Sequence, residues 1–291
     1  MDTSATTINE WDGIVELRRL IKEFLDSGEG SINVREYISS VIQDDNLLRI
    51  YLRGRKYRVK HAWETLKRYA EVRFDEYPEV FPDDIQETAS QIKKYGVLAM
   101  LKSRDKFGRR IAILNGGKIC LIEIVCFMSR FIINRIMRTL EKWNPDEINA
   151  ELMTKFGVCF FERELFDDDV MTNGIIFIQN CAGMGFRHAR MYTLHVMLRL
   201  LNVGWYAFPL KVGGVYYINV PSYLVYMLKL VRPFFSKKLK ERFIASTREK
   251  KFEALHENIS PDLLPKCLGG TQEDDDAFDW EFLQFKNDKH V

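Results

Sequence analysis

The spacing of apolar residues divides the chain into a helical first third and a mixed remainder. Over residues 8–25 and 59–77, apolar side chains recur every three or four positions, which predicts amphipathic helices. Two aspartates suited to an N-cap precede a further predicted helix over 46–54. We therefore predict an all-helical N-terminal domain over residues 1–90.

From residue 97 the pattern changes to short apolar runs. VLAMLKS and RRIAILN, separated by the polar DKFG, predict a strand pair. Apolar runs at 174–178 and 214–220 predict two more strands, and 252–255 predicts a weak last one. Helical patterns occupy 145–168, 189–203, 222–231 and 237–246. This alternation predicts an α/β domain with a mostly parallel sheet.

The stretch 203–245 combines an excess of apolar residues with a cationic run. After the strand comes Pro221, then an apolar helix over 222–231 that stops at Pro233, then a run of Lys and Arg. Too many apolar side chains gather here for a thin sheet to cover. An ordinary core and a ligand cavity both fit this composition.

Several segments in order resemble the CRAL-TRIO lipid-binding family. They are FPLKVGG at 208–214, YYINVP at 216–221, LVRPFFSKKLKER at 230–242 and LHENISPDLLPKCLGG at 255–270, with LLRIYLRGRKYRVKHAWETLKRYAEVR at 47–73 for its preceding helical domain. The nearest likeness is to the branch with α-tocopherol transfer protein, retinaldehyde-binding protein and the clavesins. The resemblance implies a lipid-binding domain over 91–272, and the acidic composition of the remainder marks residues 273–291 as a tail.

The resemblance also implies a hydrophobic cavity over the sheet, closed by the helix matching 222–231. Gln179 stands where the family commonly has a pocket phenylalanine, so we expect a ligand with a hydroxyl or carbonyl group, or a different pocket. The candidate pocket residues are Ile175, Phe177, Gln179, Leu200, Val203, Phe208, Val215, Tyr217, Met227 and Val231, and those of the gate helix are Tyr223, Leu224 and Leu228.

A phosphoinositide headgroup site is implied at Arg55, Lys211, Lys238 and Arg242. Lys238 and Arg242 are four apart on a predicted helix and share a face. The family's Lys-x-Arg is here Lys211-Val212-Gly213, so one cation is lost and headgroup selectivity is open. The alternative is a solvated cationic face. No stacking-aromatic pattern accompanies the basic runs, which disfavours nucleic acid.

The net charge of +2 hides a strong segregation of charge. Residues 49–73 hold nine Lys/Arg against two Glu, residues 211–251 hold ten against two, and residues 273–281 hold six acids and no base. Such separation favours surfaces that meet anions.

No motif for a catalytic nucleophile, a nucleotide or a metal is present. We therefore expect no enzyme activity, no cofactor and no metal; His188 and His195 lie seven apart without a placed partner ligand. The five cysteines suggest reduced thiols. With no apolar leader and no span, we expect a cytoplasmic monomer, transiently on endosomal or other anionic membranes.

Residues 118–142 interrupt the resemblance as an atypical insertion. They fit either an amphipathic helix that rests on a membrane or an error in the gene model.

The expected function is that of a non-enzymatic intracellular carrier. It would bind a tocopherol, a retinoid or a similar lipid in a gated cavity and transfer it at phosphoinositide-containing membranes. The alternative is a clavesin-type trafficking adaptor, for which membrane recruitment is itself the output.

Overall fold

The N-terminal region is all-helical, as the periodicity predicted. A computed structural model describes residues 9–115, 144–250, 252–279 and 281–282. The Asp44 side chain caps the third helix by accepting from the backbone N–H groups of Asn46 and Leu47. The first five helices are α1 (Glu10–Ser27), α2 (Ile32–Val41), α3 (Asp45–Gly54), α4 (Val59–Glu71) and α5 (Ile85–Tyr95).

One mixed sheet of six strands follows, in the order β5-β4-β3-β2-β1-β6. Strands β2, β3, β4 and β5 pair in parallel, whereas β1 pairs antiparallel with β2 and with β6. The predicted strand pair and the mostly parallel α/β fold are confirmed. The strands are β1 (Leu98–Arg104), β2 (Arg110–Asn115), β3 (Ile175–Asn180), β4 (Val212–Val220), β5 (Phe243–Thr247) and β6 (Phe278–Asp279).

Helices flank the sheet, and two segments are π-helical, at Val72–Glu76 and Asn202–Ala207. The helices of this part are α6 (Ala150–Glu164), α7 (Asp168–Asn173), α8 (Phe186–Ala189), α9 (Leu194–Leu201), α10 (Ser222–Val231), α11 (Lys237–Arg242), α12 (Glu253–His256) and α13 (Asp274–Ala277).

Two predicted elements near the C-terminus were wrong. The basic helix predicted over 237–246 ends at Arg242, because the following residues form β5 beside β4; there the Phe243 ring packs 5.0 Å from that of Tyr217. The strand predicted over 252–255 is part of α12 instead. A helical turn brings Leu255 and Ile259 together in the core cluster under the sheet.

The predicted domain boundary at residue 272 assigns the residues after it to a tail. In the structure, part of this tail joins the sheet. Phe278 is buried and pairs with Leu101 of β1, and the Phe282 ring lies 6.1 Å from that of Phe160. The domain boundaries remain a prediction. The proposed insertion, 118–142, lies outside the described residues.

The two faces of the sheet are covered by different parts of the chain. One face, with Ile113 and Ile176, packs on C-terminal side chains such as Leu264 and Leu268. The other face meets α6, α9 and α10. Along β4, buried residues alternate with half-buried ones such as Val215 and Tyr217, which project from this second face.

The helical region packs tightly against the sheet domain. The end of α3 approaches the chain before β4 so closely that a Cβ at Gly54 would overlap the Pro209 carbonyl. A buried polar cluster adds to this interface, since the Tyr69 hydroxyl and Arg73 Nη1 each donate to Glu162 Oε1 at 2.6 Å. These contacts place α3 and α4 beside the start of β4.

Candidate functional site

An apolar cavity of about 230 Å³ lies between the second face of the sheet and helices α6, α9 and α10. Its wall is almost wholly aliphatic and aromatic. Among the described residues, its lining has no Lys, Arg, Asp or Glu. A molecule held there would therefore have to be mainly hydrophobic.

The structure brings most candidate pocket residues to this cavity. Three lie elsewhere: Ile175 in the core beside it, Phe208 in the wall of a second cavity, and Met227 half-buried on α10. The binding roles of all ten remain a prediction. Those on the cavity wall are Phe177, Gln179, Leu200, Val203, Val215, Tyr217 and Val231, joined by Leu228 of the gate helix.

The cavity is smaller than the roughly 300–1,000 Å³ typical of sites for drug-sized ligands. An isoprenoid-sized ligand therefore requires its wall to widen. Leu228 and Val231 of α10 form part of that wall.

Gln179 and Tyr217 are two of the polar side chains on the wall of this apolar cavity. Gln179 is 5% exposed, and its side-chain amide has no hydrogen-bond partner in the part of the chain that the structure describes. Tyr217 is its neighbour on β4 in the strand register, and burial raises the pKa of the Tyr217 phenol, which keeps it neutral. A buried amide costs free energy unless it is hydrogen-bonded, so this pair suits an uncharged polar group on a ligand.

Helix α10 carries apolar side chains on opposite faces. Leu224, Leu228 and Val231 are buried, while Tyr226 is 68% and Leu230 57% exposed. Tyr223 ties the helix to the loop after β3, since its hydroxyl donates to the Gly185 carbonyl at 2.9 Å. The helix thus covers the cavity with one face and presents an apolar stripe to the outside with the other.

A second cavity, the cationic pocket, has a volume of about 770 Å³ and lies between α3, α4, α11 and the start of β4. Eight Lys or Arg side chains line it, against one Glu among the described residues. The basic side chains are Arg55, Lys56, Arg58, Arg68, Arg109, Lys211, Lys238 and Arg242. All four candidate headgroup residues therefore share one pocket.

Three of these four are held by hydrogen bonds. Arg55 donates from Nε to Thr65 Oγ1 at 2.7 Å and from Nη2 to the Phe208 carbonyl at 2.8 Å. Lys211 Nζ donates to the Thr172 carbonyl at 3.3 Å. Arg242 Nη1 donates to the backbone carbonyl before Gly213.

The pKa values of these groups show that the pocket disfavours their charge. Burial lowers the pKa of Arg55 and of Lys211, and nearby Lys56 lowers that of Lys211 further. Burial and then Arg242 lower the pKa of Lys238. An anion in the pocket would relieve this mutual repulsion.

The two cavities share part of their walls. Gly204, Trp205 and Val212 line both. The first two belong to the π-helical segment Asn202–Ala207, a rare geometry that is frequent at functional sites. These three residues thus form a partition common to both cavities.

Arg109 and Trp205 were missed by sequence reasoning. Arg109 lies in the turn between β1 and β2, far along the chain from the other cations, so only the fold brings it to the pocket. One feature of the sequence could have pointed to Trp205: it is an aromatic residue next to Gly204, shortly before the apolar strand.

The described parts of the chain contain neither a cluster of metal ligands nor a helix that could span a membrane. No three His, Cys, Asp or Glu side chains cluster there as a metal site would require. His188 instead accepts at Nδ1 from the Gly185 N–H at 3.1 Å. No helix among the described residues has the length and apolar character needed to cross a bilayer.

An apolar cavity on one face of a mostly parallel sheet, with a cationic pocket beside it, is the architecture of a lipid-binding domain. Residues 129–270 match the family model of the CRAL/TRIO domain. The chain thus contains a match to the CRAL/TRIO domain, the domain of a family of lipid-binding and transfer proteins, as the sequence motifs predicted. Neither the family nor the relatives below are named as enzymes.

The relatives are about a quarter identical to this chain over the residues that align. Clavesin-1 of Xenopus laevis is 24% identical over 255 residues, which cover 86% of this chain and 68% of that protein. Alpha-tocopherol transfer protein-like of Mus musculus is 22% identical over 244 residues, covering 84% and 63%. Clavesin-1 of Rattus norvegicus is 25% identical over 252 residues, covering 86% and 63%.

A solved structure, "Crystal structure of Sfh5", aligns with 94% of this chain and 90% of its own at a TM-score of 0.47 and 12% identity.

Proposed function

We propose that this protein carries a small hydrophobic ligand, a tocopherol, a retinoid or a similar lipid, and transfers it at phosphoinositide-containing membranes. The observation that carries the proposal is the shared partition: a cavity fit for cargo and a pocket fit for an anionic headgroup meet at Gly204, Trp205 and Val212. The name of one relative, alpha-tocopherol transfer protein-like, points the same way.

The membrane part rests on the arrangement of charge and apolar surface. Cations of the pocket lie on α11, directly after α10 with its exposed Tyr226 and Leu230; Phe234, between the two helices, is 54% exposed. An anionic bilayer would attract the cations and receive the apolar side chains. We assign α10 as the gate because it separates the cavity from this surface.

A transfer assay with labelled lipid tests the proposal. Donor vesicles carry a fluorescent tocopherol, retinoid or phospholipid, and acceptor vesicles contain phosphoinositide. A carrier accelerates movement of at least one cargo in a saturable way. Vesicle binding without movement of any cargo would instead identify a clavesin-type adaptor.

Replacing Gln179 should change the preference between ligands. The Gln179→Leu variant keeps the size of the side chain but cannot hydrogen-bond a hydroxyl or carbonyl group on the cargo. A lost hydrogen bond of about 1 kcal/mol predicts roughly fivefold weaker binding of such a ligand. The measurement is a fluorescence titration with an alcohol and with its matched hydrocarbon. Equal affinity of the variant and the wild type for the alcohol would place the polar group elsewhere.

Movement of the gate should be visible in hydrogen exchange. We expect amide exchange across 222–235 to accelerate when anionic vesicles are added to cargo-loaded protein, because opening exposes the ends of α10. Exchange in α5 should stay constant and serves as the internal control. Unchanged exchange in both segments, under conditions where cargo is transferred, would contradict the gate.

A further inference from the structure

Arg109 reaches the cationic pocket because residue 213 is a glycine. Arg109 precedes β2, and its side chain lies across the start of β4. A Cβ built on Gly213 would lie 2.6 Å from Arg109 Cδ, closer than the 3.0 Å that real Cβ atoms respect. A larger residue at position 213 would therefore displace the guanidinium from its place.

A buried carboxylate fixes the orientation of this guanidinium. The Asp105 side chain is 1% exposed; its Oδ2 accepts from Arg109 Nε at 2.7 Å and lies 2.5 Å from Nη2. Asp105 Oδ1 accepts backbone N–H groups of the same turn, so the carboxylate cannot swing away. The Phe107 ring adds a contact, with its centre 4.7 Å from Arg109 Cζ. The arginine is thus oriented before any ligand arrives.

One edge of the guanidinium remains for a ligand. Asp105 engages Nε and Nη2, while Nη1 lies against Gly213 and makes no hydrogen bond to any residue that the structure describes. Arg242 is near enough that Arg109 lowers its pKa, after burial as the larger cause. Asp105 neutralises part of the positive charge of Arg109. Arg109 therefore contributes mainly an N–H donor of fixed orientation.

We propose that Arg109 is an additional anion-binding residue, and that its Nη1 donates to a phosphate monoester of a lipid headgroup seated between Lys211 and Arg242. This inference rests on the proposed function, because it assumes that the cationic pocket takes an anionic headgroup. A monoester is the class that fits, since its several charged oxygens can meet donors from three directions. Gly213 then sets specificity indirectly, by leaving the space for Arg109.

Vesicle binding with a paired control tests the assignment. The probes are vesicles with phosphatidylinositol bisphosphate, competed by soluble inositol trisphosphate or by inorganic phosphate. Arg109→Ala is compared with Lys106→Ala, which removes a cation from the same turn but off the pocket wall. We expect Arg109→Ala to weaken binding about tenfold, as for loss of a charge-assisted hydrogen bond, and Lys106→Ala to have less than a twofold effect.

A rescue variant separates recognition from folding. In Arg109→Ala the space beside residue 213 is open, so adding Gly213→Arg returns a guanidinium to the pocket from β4. We expect this double variant to recover most of the lost affinity. Gly213→Ala alone, which leaves every charged residue in the sequence, should weaken binding by displacing the guanidinium. Thermal unfolding of each variant shows whether it is folded.

The outcomes distinguish this inference from the proposed function. If the wild type binds and Arg109→Ala binds as well as Lys106→Ala, Arg109 is not a ligand and the proposed function stands. If the wild type binds neither vesicles nor inositol trisphosphate, the headgroup part of the proposed function fails and the Arg109 assignment with it. If inorganic phosphate competes as well as inositol trisphosphate, the ligand is free phosphate and the lipid assignment is overturned.

Discussion

The double variant Lys211→Ala/Lys238→Ala should bind phosphoinositide vesicles about 30-fold more weakly than the wild type. Each near-surface cation contributes about 1 kcal/mol at an anionic membrane, and each 1.4 kcal/mol corresponds to a tenfold change in affinity. Cargo transfer should fall with vesicle binding, while cargo affinity stays nearly unchanged, because neither lysine lines the apolar cavity. Vesicle sedimentation and fluorescent-lipid titration measure the two properties separately.

Lys237→Ala/Lys240→Ala is the matched control for this variant. It removes the same charge from the exposed surface of α11, outside the pocket wall. We leave Arg242 intact because its hydrogen bond to the Val212 carbonyl supports the partition between the cavities. Equal losses in the two double variants would show that the membrane responds to the overall positive charge of this surface and not to the pocket.

Leu200→Trp should abolish cargo uptake. Leu200 of α9 lines an apolar cavity of only about 230 Å³, so an indole there occupies space that the ligand needs. Saturable binding of tocopherol, retinoid and phospholipid probes should all be lost. Vesicle binding through the cationic pocket should persist, because the substituted side chain does not line that pocket.

Leu194→Trp controls for the size of the new side chain. Leu194 is at the other end of α9 and is 43% exposed, so the same substitution there should leave uptake intact. Overpacking costs about 1–3 kcal/mol where the ring finds no room, so thermal unfolding must show that both variants are folded. A folded Leu200→Trp variant with wild-type uptake would mean that the cargo binds elsewhere.

The fold was predictable where the hydrophobic pattern continues over many residues and where residues such as proline mark the ends of the element. Helix α10 has the predicted bounds, since Pro221 caps its start and Pro233 follows its end. Strand β5 was not predictable, because Phe243–Thr247 continues the helical pattern of α11 and becomes a strand only by pairing with β4. Strand β6 is two residues long, too short to show any period. Helices α2 and α5 were also missed.

The site was predictable where its residues lie close along the chain. The cations of α11 and the inward side chains of β4 come from one continuous segment, and family resemblance added Arg55. The lining from α6, such as Met153 and Phe161, depends on how a distant helix packs over the sheet. Arg109 depends on a close approach across two strands, which no pattern in a single sequence encodes.

The shared partition formed by Gly204, Trp205 and Val212 has a thermodynamic consequence. A headgroup that shifts these residues and so weakens cargo binding by some factor must itself be bound more weakly by loaded protein, by the same factor. Loaded protein would then leave phosphoinositide membranes sooner than unloaded protein. Residence time on the membrane would become a readout of cargo occupancy.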